Sequence, residues 1–145
     1  MGLKPLAVVE GTVVPGKRLG RSLGIPTANV PYPKNAAMPA EGVYVADMFL
    51  LDQGERLVQG VLNQGYHPTV PEGDPAVEMH IFDFDDDLYG QRVRVRYLEY
   101  IRPELVFESK EAMRLVMQDD LRLARDWFAK RPDYPDDINL SMRHI

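Results

Sequence analysis

The spacing of apolar side chains along this chain changes near Pro103. Before it, apolar and polar residues alternate, as in residues 92–97, which read Arg-Val-Arg-Val-Arg-Tyr. A period of two is typical of half-buried β-strands. After it, apolar residues recur at steps of three and four, which predicts an amphipathic helix over about 109–130. Ser109 is the expected N-cap, and Arg131-Pro132 is expected to end the helix.

Short strand-like segments precede the helix. They cover residues 7–14, 27–30, 43–51, 57–62, 76–84 and 92–101. Short strands at close intervals followed by one helix predict a mainly β fold, a small antiparallel barrel closed by that helix. Residues 64–75 are rich in proline and glycine and are expected to form a loop. We expect one domain over 1–145, with the barrel at about 7–104 and a partly loose tail at 131–145.

Composition narrows the class of protein. A length of 145 residues, with 45% hydrophobic and 27% charged residues, is typical of one globular domain. No apolar run approaches the roughly 20 residues that span a bilayer, and the N-terminus lacks the apolar core of a signal peptide, so we expect a cytoplasmic protein without a membrane partner. The net charge of −5 argues against nucleic-acid binding.

The candidate chemistry is concentrated in residues 16–29, Gly-Lys-Arg-Leu-Gly-Arg-Ser-Leu-Gly-Ile-Pro-Thr-Ala-Asn. Glycines let a backbone approach an anion closely, and the interleaved cations match phosphate charge. The candidate phosphate-binding residues are Gly16, Lys17, Gly20, Arg21 and Gly24. Thr27 and Asn29 lie two residues apart on a strand, so their oxygens share one side and suit Mg²⁺. The segment indicates a nucleotide-phosphate and magnesium site.

Plainer interpretations of the same residues remain open. The glycine-rich stretch is also compatible with a solvated turn, and Arg21 with a surface cation. Thr27 and Asn29 are residue types that stabilise turns by hydrogen bonds to the backbone.

Glu78 is a carboxylate within the apolar segment 76–82. Burying it costs desolvation energy unless it is paired or used. On a strand, Glu78 and His80 share one face, and the apolar residues beside them share the other. Taken alone, this pattern favours a solvent-facing glutamate.

The block at residues 16–29 resembles the GRxLGxPTAN signature of riboflavin kinases, a domain that also forms the C-terminal half of bacterial bifunctional FAD synthetases. Further blocks follow in the family's order from Gly11 to about Asp120. They are Gly42–Val45, Asn63–Gly65 with Pro68-Thr69, Val77–Ile81, Leu88–Gly90 and Tyr100–Phe107. Gln64 departs from the isoleucine that bacterial members often carry, and we interpret it as a packing position.

The resemblance implies a six-stranded antiparallel Greek-key barrel with the helix packed outside. It implies ATP-dependent phosphorylation of riboflavin at the ribityl 5′-hydroxyl, giving FMN and ADP with Mg²⁺ or another divalent cation. Glu78 would be the general base, in a pocket expected inside the barrel. Thr27 and Asn29 would hold the metal with ATP phosphate oxygens, and the backbone of Gly16 and the guanidinium of Arg21 would contact the phosphates.

Five more residues are assigned by the same resemblance. Ile81, Asp83 and Tyr89 match positions that contact the nucleotide base or sugar, and Arg102 and Phe107 match positions that contact the flavin. Phe107 is equally compatible with a place in the core.

A non-catalytic flavin-binding or flavin-sensing module on the same barrel is the alternative. The joint presence of Thr27, Asn29 and Glu78 favours the enzyme. No adenylyltransferase domain precedes the barrel, so we expect this chain alone not to convert FMN into FAD. The sequence is compatible with a monomer and with part of a bifunctional enzyme.

Overall fold

Six antiparallel strands form the sheet of the computed structural model, which describes residues 4–14, 27–32, 38–65, 76–84 and 87–131. The strands are β1 (Ala7–Thr12), β2 (Thr27–Pro31), β3 (Gly42–Leu50), β4 (Arg56–Gly65), β5 (Ala76–Ile81) and β6 (Arg92–Arg102). A 3₁₀ turn at Leu51–Gln53 joins β3 to β4, and helix α1 (Lys110–Ala129) follows β6.

The strand order is β1-β6-β3-β4-β5-β2. The strands β3, β4 and β5 pair in succession and β6 returns to lie beside β3, which is a Greek key. The sheet curls so that its two edges meet. The N–H of Val14 donates to the carbonyl of Asn29 at 2.9 Å. A Cβ on Gly11 would lie 2.6 Å from Val30 Cγ1, so this close approach of β1 to β2 requires glycine. The expected mainly β fold of six antiparallel strands with a C-terminal helix is confirmed, and the strands form a half-barrel.

Apolar residues form two clusters on opposite faces of the sheet. The interior cluster draws on every strand and includes Val9, Val30, Met48, Leu62, Met79 and Val95. The outer cluster joins β3, β4 and β6 to α1 and comprises Val43, Val45, Val61, Leu98, Ala124 and Trp127. The helix therefore packs outside the barrel, as expected.

Helix α1 begins where the sequence predicts. Ser109 is its N-cap, and the Ser109 Oγ accepts a hydrogen bond from the Ala112 N–H at 3.0 Å.

In the part of the chain that the structure describes, no helix combines the length and apolar character needed to cross a membrane.

Strand β4 is longer than predicted. It runs to Gly65, so Gln64 and Gly65, which were expected in a loop, belong to the sheet. Gln64 is fully buried, as expected of a packing position. Its amide donates to the carbonyl of Pro39 and accepts from the Tyr97 hydroxyl. Because both ends of the amide are paired, a polar residue can continue the buried strand.

The alternation of β6 predicts a half-buried strand with its arginines on the solvent side, and Arg96 departs from this pattern because it is 0% exposed. Its guanidinium donates to both carboxylate oxygens of Asp47, at 2.7 and 2.5 Å. It also lies over the Phe49 ring, 4.5 Å from the centroid. A paired carboxylate and an aromatic face on β3 compensate a charge that the period alone places in solvent.

Replacing Asp47 with asparagine is expected to lower the free energy of unfolding by about 3–5 kcal/mol, because Arg96 then keeps a buried, uncompensated charge. Urea unfolding measures the loss. Glu10→Gln is the matched control, since Glu10 pairs with the more exposed Arg94 on the same strand and such pairs contribute little. Equal losses in the two variants would contradict this account of β6.

Candidate active site

The pairing of β5 with its two neighbours brings polar side chains together. Across β2, Asn29 lies opposite Glu78 and Thr27 lies opposite His80. Across β4, Asn63 lies opposite Glu78. Residues directly opposite one another share a face of the sheet, with Cβ atoms about 4.5–5.5 Å apart. We call these five side chains the polar patch.

The polar patch lies on the outer face of the half-barrel. The residues that alternate with it on β2 and β5 belong to the interior cluster: Ala28, Val30, Val77, Met79 and Ile81. The expected division of β5 into a Glu78–His80 face and an apolar face is confirmed. The expectation of a pocket inside the barrel is wrong, because apolar side chains fill the interior.

Despite facing outward, much of the patch is buried. Glu78 is 8% exposed, His80 5% and Asn29 6%. The solvent-facing interpretation of Glu78 is therefore also wrong. The Nε2 of His80 lies 3.1 Å from Glu78 Oε1, which pairs the two side chains. The contact offsets part of the desolvation cost of the carboxylate, and its place beside Asn29 and Asn63 makes Glu78 a candidate for function.

Two buried polar atoms of the patch have no hydrogen-bond partner within the described residues. They are Asn63 Oδ1 and His80 Nδ1. Leaving such an atom unpaired costs about 1–3 kcal/mol, so a polar ligand that paired with it would recover this energy. The patch thus combines a carboxylate, amide oxygens and a hydroxyl, which are the hard donors that suit Mg²⁺ and phosphate-bearing substrates.

The glycine-rich segment falls outside the described residues. The predictions for Gly16, Lys17, Gly20, Arg21 and Gly24 therefore stay predictions. The described residues that flank residues 15–26 are informative, however. The Val14 N–H donates to the Asn29 carbonyl, and Thr27 is itself a member of the polar patch, so the described residues on both sides of the segment lie at this patch.

The three residues expected to contact the nucleotide base or sugar are not part of the patch. The side chain of Ile81 lies in the interior cluster, and that of Tyr89 packs against it. Asp83 is exposed in the turn after β5, where both its oxygens lie 3.2 Å from the Arg125 guanidinium. This pairing lowers the pKa of the Asp83 carboxyl. Contacts of these residues with a nucleotide stay predictions.

Arg102 and Phe107 lie close together, with the Arg102 guanidinium 6.0 Å from the ring centroid. Arg102 lies opposite Val43, which lies opposite Asn63, so Arg102 ends the row of residues that contains Glu78. Three strand spacings separate Arg102 from Glu78, which is about 14 Å along the sheet. Phe107 is half-buried and belongs to neither apolar cluster.

Asp120 was missed in the sequence. Its carboxylate accepts two hydrogen bonds from Arg102, at 3.1 and 2.7 Å, and so fixes the guanidinium against α1. The signal was present, because Asp120 falls at the three- and four-residue spacing of the buried helix face, between Met113 and Ala124. Asn63 is named in the sequence analysis only as part of a motif, although it follows the apolar pair Val61-Leu62 in β4.

The comparisons with known proteins agree with one another in fold. The riboflavin kinase family model matches residues 3–128. A bifunctional riboflavin kinase/FMN adenylyltransferase of Escherichia coli K12 is 38% identical over 120 residues, which cover 83% of this chain and 37% of that protein. The chain thus spans a little over a third of the length of such relatives.

Two solved structures share the architecture. A riboflavin kinase from Trypanosoma brucei superposes with a TM-score of 0.61 at 23% identity, covering 93% of this chain and 85% of that one. A Streptococcus pneumoniae protein described as a macrolide-efflux protein superposes with a TM-score of 0.73 at 33% identity, covering 85% of this chain and 39% of that one.

Asp120→Asn is expected to lower the free energy of unfolding by about 1.5–3 kcal/mol, since hydrogen bonds between charged groups contribute that much. Asp119→Asn is the matched control, because Asp119 pairs with Arg122 on the exposed helix face and such pairs add little. Thermal and urea unfolding report both. If the two substitutions are equally mild, Asp120 does not anchor Arg102.

Proposed function

Since the chain belongs to the riboflavin kinase family, we propose that it transfers the γ-phosphoryl group of ATP to the ribityl 5′-hydroxyl of riboflavin, giving FMN and ADP. The observation that carries the proposal is the buried Glu78 carboxylate, placed between Asn29 and Asn63 by the pairing of three strands. A base beside hard oxygen donors is what phosphoryl transfer to an alcohol needs.

Glu78 acts as the general base in this proposal. Its carboxylate takes the proton of the 5′-hydroxyl as the hydroxyl oxygen bonds to the γ-phosphorus. The bond from that phosphorus to the β,γ-bridging oxygen breaks, and ADP leaves with the electron pair. A positioned base contributes about 10²–10⁴-fold to the rate. In-line positioning of the two substrates would supply much of the remainder.

Thr27 and Asn29 are the residues that would hold Mg²⁺. Their positions on β2 are two residues apart, on the face that bears Glu78, and a hydroxyl and an amide oxygen are ligands that the ion accepts. The unpaired Asn63 Oδ1 adds a further buried acceptor to the same patch. When bound, the metal neutralises charge on the phosphates. Mg²⁺ usually shares its coordination with substrate phosphates and water, so two protein ligands suffice.

The phosphates are proposed to lie against residues 15–26, with the Gly16 backbone and the Arg21 guanidinium as contacts and Lys17, Gly20 and Gly24 in the same block. The flanking residues support the proposal, because Val14 bonds to the backbone of Asn29 and Thr27 belongs to the polar patch. Ile81, Asp83 and Tyr89 are proposed for the nucleotide base and sugar, with Ile81 limited to its backbone by the buried side chain.

Arg102 and Phe107 are proposed to bind the flavin ring. An aromatic ring stacks on an isoalloxazine, and an arginine pairs with its polar edge. Their position at the far end of the row from Glu78 suits a substrate whose ring and reactive hydroxyl lie at opposite ends. We propose that this kinase step takes place in the cytoplasm. The adenylyl transfer named for the longer relatives is not proposed for this chain.

Glu78→Gln is expected to lower kcat for FMN formation by about 10²–10⁴-fold, because the amide cannot accept the proton. Riboflavin affinity, measured by calorimetry, is expected to change little. The assay mixes protein, riboflavin and Mg-ATP and separates the flavins by chromatography. Glu99→Gln, at an exposed carboxylate on β6, is the control. Full activity in Glu78→Gln would overturn the base assignment, and riboflavin binding without turnover in the unaltered chain would favour the non-catalytic flavin module.

Thr27→Ala and Asn29→Ala are expected to raise the Mg²⁺ concentration needed for half-maximal activity, because each removes one proposed metal ligand. Thr27→Ser keeps the hydroxyl and is the control. Magnesium titrations of FMN formation give the metal response, and calorimetry gives the riboflavin affinity. Weaker flavin binding with an unchanged magnesium response would contradict this assignment.

A further inference from the structure

We infer that His80 is a positioning residue that sets the orientation of the Glu78 carboxylate. This inference rests on the proposed function, because it assigns a role through the proposed base. The observation behind it is the distance of 3.1 Å between His80 Nε2 and Glu78 Oε1. The His80 side chain is 6% exposed and the Glu78 side chain 10%. Water therefore competes weakly for this contact.

The contact constrains a side chain that would otherwise rotate. A glutamate carboxylate turns broadly about its last torsion, and its lone pairs turn with it. A polar contact at Oε1 restricts that angle and thus the direction from which a hydroxyl proton can be taken. Both residues lie on β5, two positions apart, and the ladders to β2 and β4 hold the strand on both sides. The backbone that carries both side chains is therefore held in place by the sheet.

The other ring nitrogen of His80 supports a role specific to Glu78. Nδ1 is buried and has no hydrogen-bond partner within the described residues. An imidazole that serves packing alone would bury two polar nitrogens where an apolar side chain would avoid the desolvation cost. Its cross-strand neighbours are Thr27 and Val61. Within the described residues, the polar contact of the His80 ring is the one between Nε2 and Glu78.

The asymmetry between the two nitrogens gives a sharp test. A glutamine amide N–H reaches about as far as Nε2, whereas an asparagine amide reaches about as far as Nδ1. We expect His80→Asn and His80→Leu to lower kcat for FMN formation by about 10–100-fold, the range for loss of a group that orients a functional residue. His80→Gln is expected to restore most of it. The KM values for riboflavin and ATP, and the calorimetric riboflavin affinity, are expected to stay within about threefold of wild type, because the orientation of the base matters only in the transition state.

A structural role for His80 predicts a different result. It would lower the melting temperature and raise KM, with no advantage of glutamine over asparagine. That outcome overturns the inference, as does wild-type kcat in His80→Asn. If His80→Leu does not fold, the comparison of the Gln and Asn variants at equal folded fraction decides.

The inference and the proposed function fail separately. In a Glu78→Gln background, His80→Leu is expected to reduce FMN formation no further, because the group it orients is gone. A large further loss would show that His80 acts independently of Glu78. If Glu78→Gln is itself fully active, the proposed base is wrong. If Glu78→Gln is inactive while every His80 variant keeps the wild-type kcat, the base stands and the positioning role falls.

Discussion

The proposed site depends on the antiparallel pairing of β5 with β2 on one side and with β4 on the other. That pairing places Asn29, Glu78 and Asn63 in one row across three strands, and Thr27 beside His80 in the next. A slip of β5 by one residue would send Glu78 and His80 to the opposite face, away from their neighbours on β2 and β4. The apolar residues between them fix the register, because Ala28, Met79 and Leu62 must enter the interior. The core thus determines where the chemistry lies.

The same division of faces explains why the patch lies outside the barrel. The interior is filled by apolar side chains from all six strands, which leaves the outer face for polar groups and for the helix. Helix α1 covers β3, β4 and β6 there, and its Asp120 holds Arg102 at the far end of the row. The fold therefore fixes both ends of the row, one through strand pairing and the other through an ion pair to the helix.

Much of this could be predicted from local pattern. The period of two gave the strands, and the change of period near Pro103 gave the helix with its Ser109 cap. Glu78 was singled out because a carboxylate in an apolar strand is costly. The predictions that failed concern residues whose partners are distant in the sequence. Arg96 is buried because Asp47, on a neighbouring strand, compensates its charge. Gln64 continues a strand because Pro39 and Tyr97 satisfy its amide. No periodicity reports such pairs.

The contact between Glu78 and the reacting hydroxyl is the central claim, and a crystal structure with riboflavin, Mg²⁺ and a non-hydrolysable ATP analogue tests it most directly. The account predicts the 5′-hydroxyl within hydrogen-bond reach of the Glu78 carboxylate, about 2.6–3.2 Å. It also predicts the metal at about 2.0–2.1 Å from the oxygens of Thr27 and Asn29. A ternary complex with the hydroxyl directed away from Glu78, or with the metal held elsewhere, would contradict it.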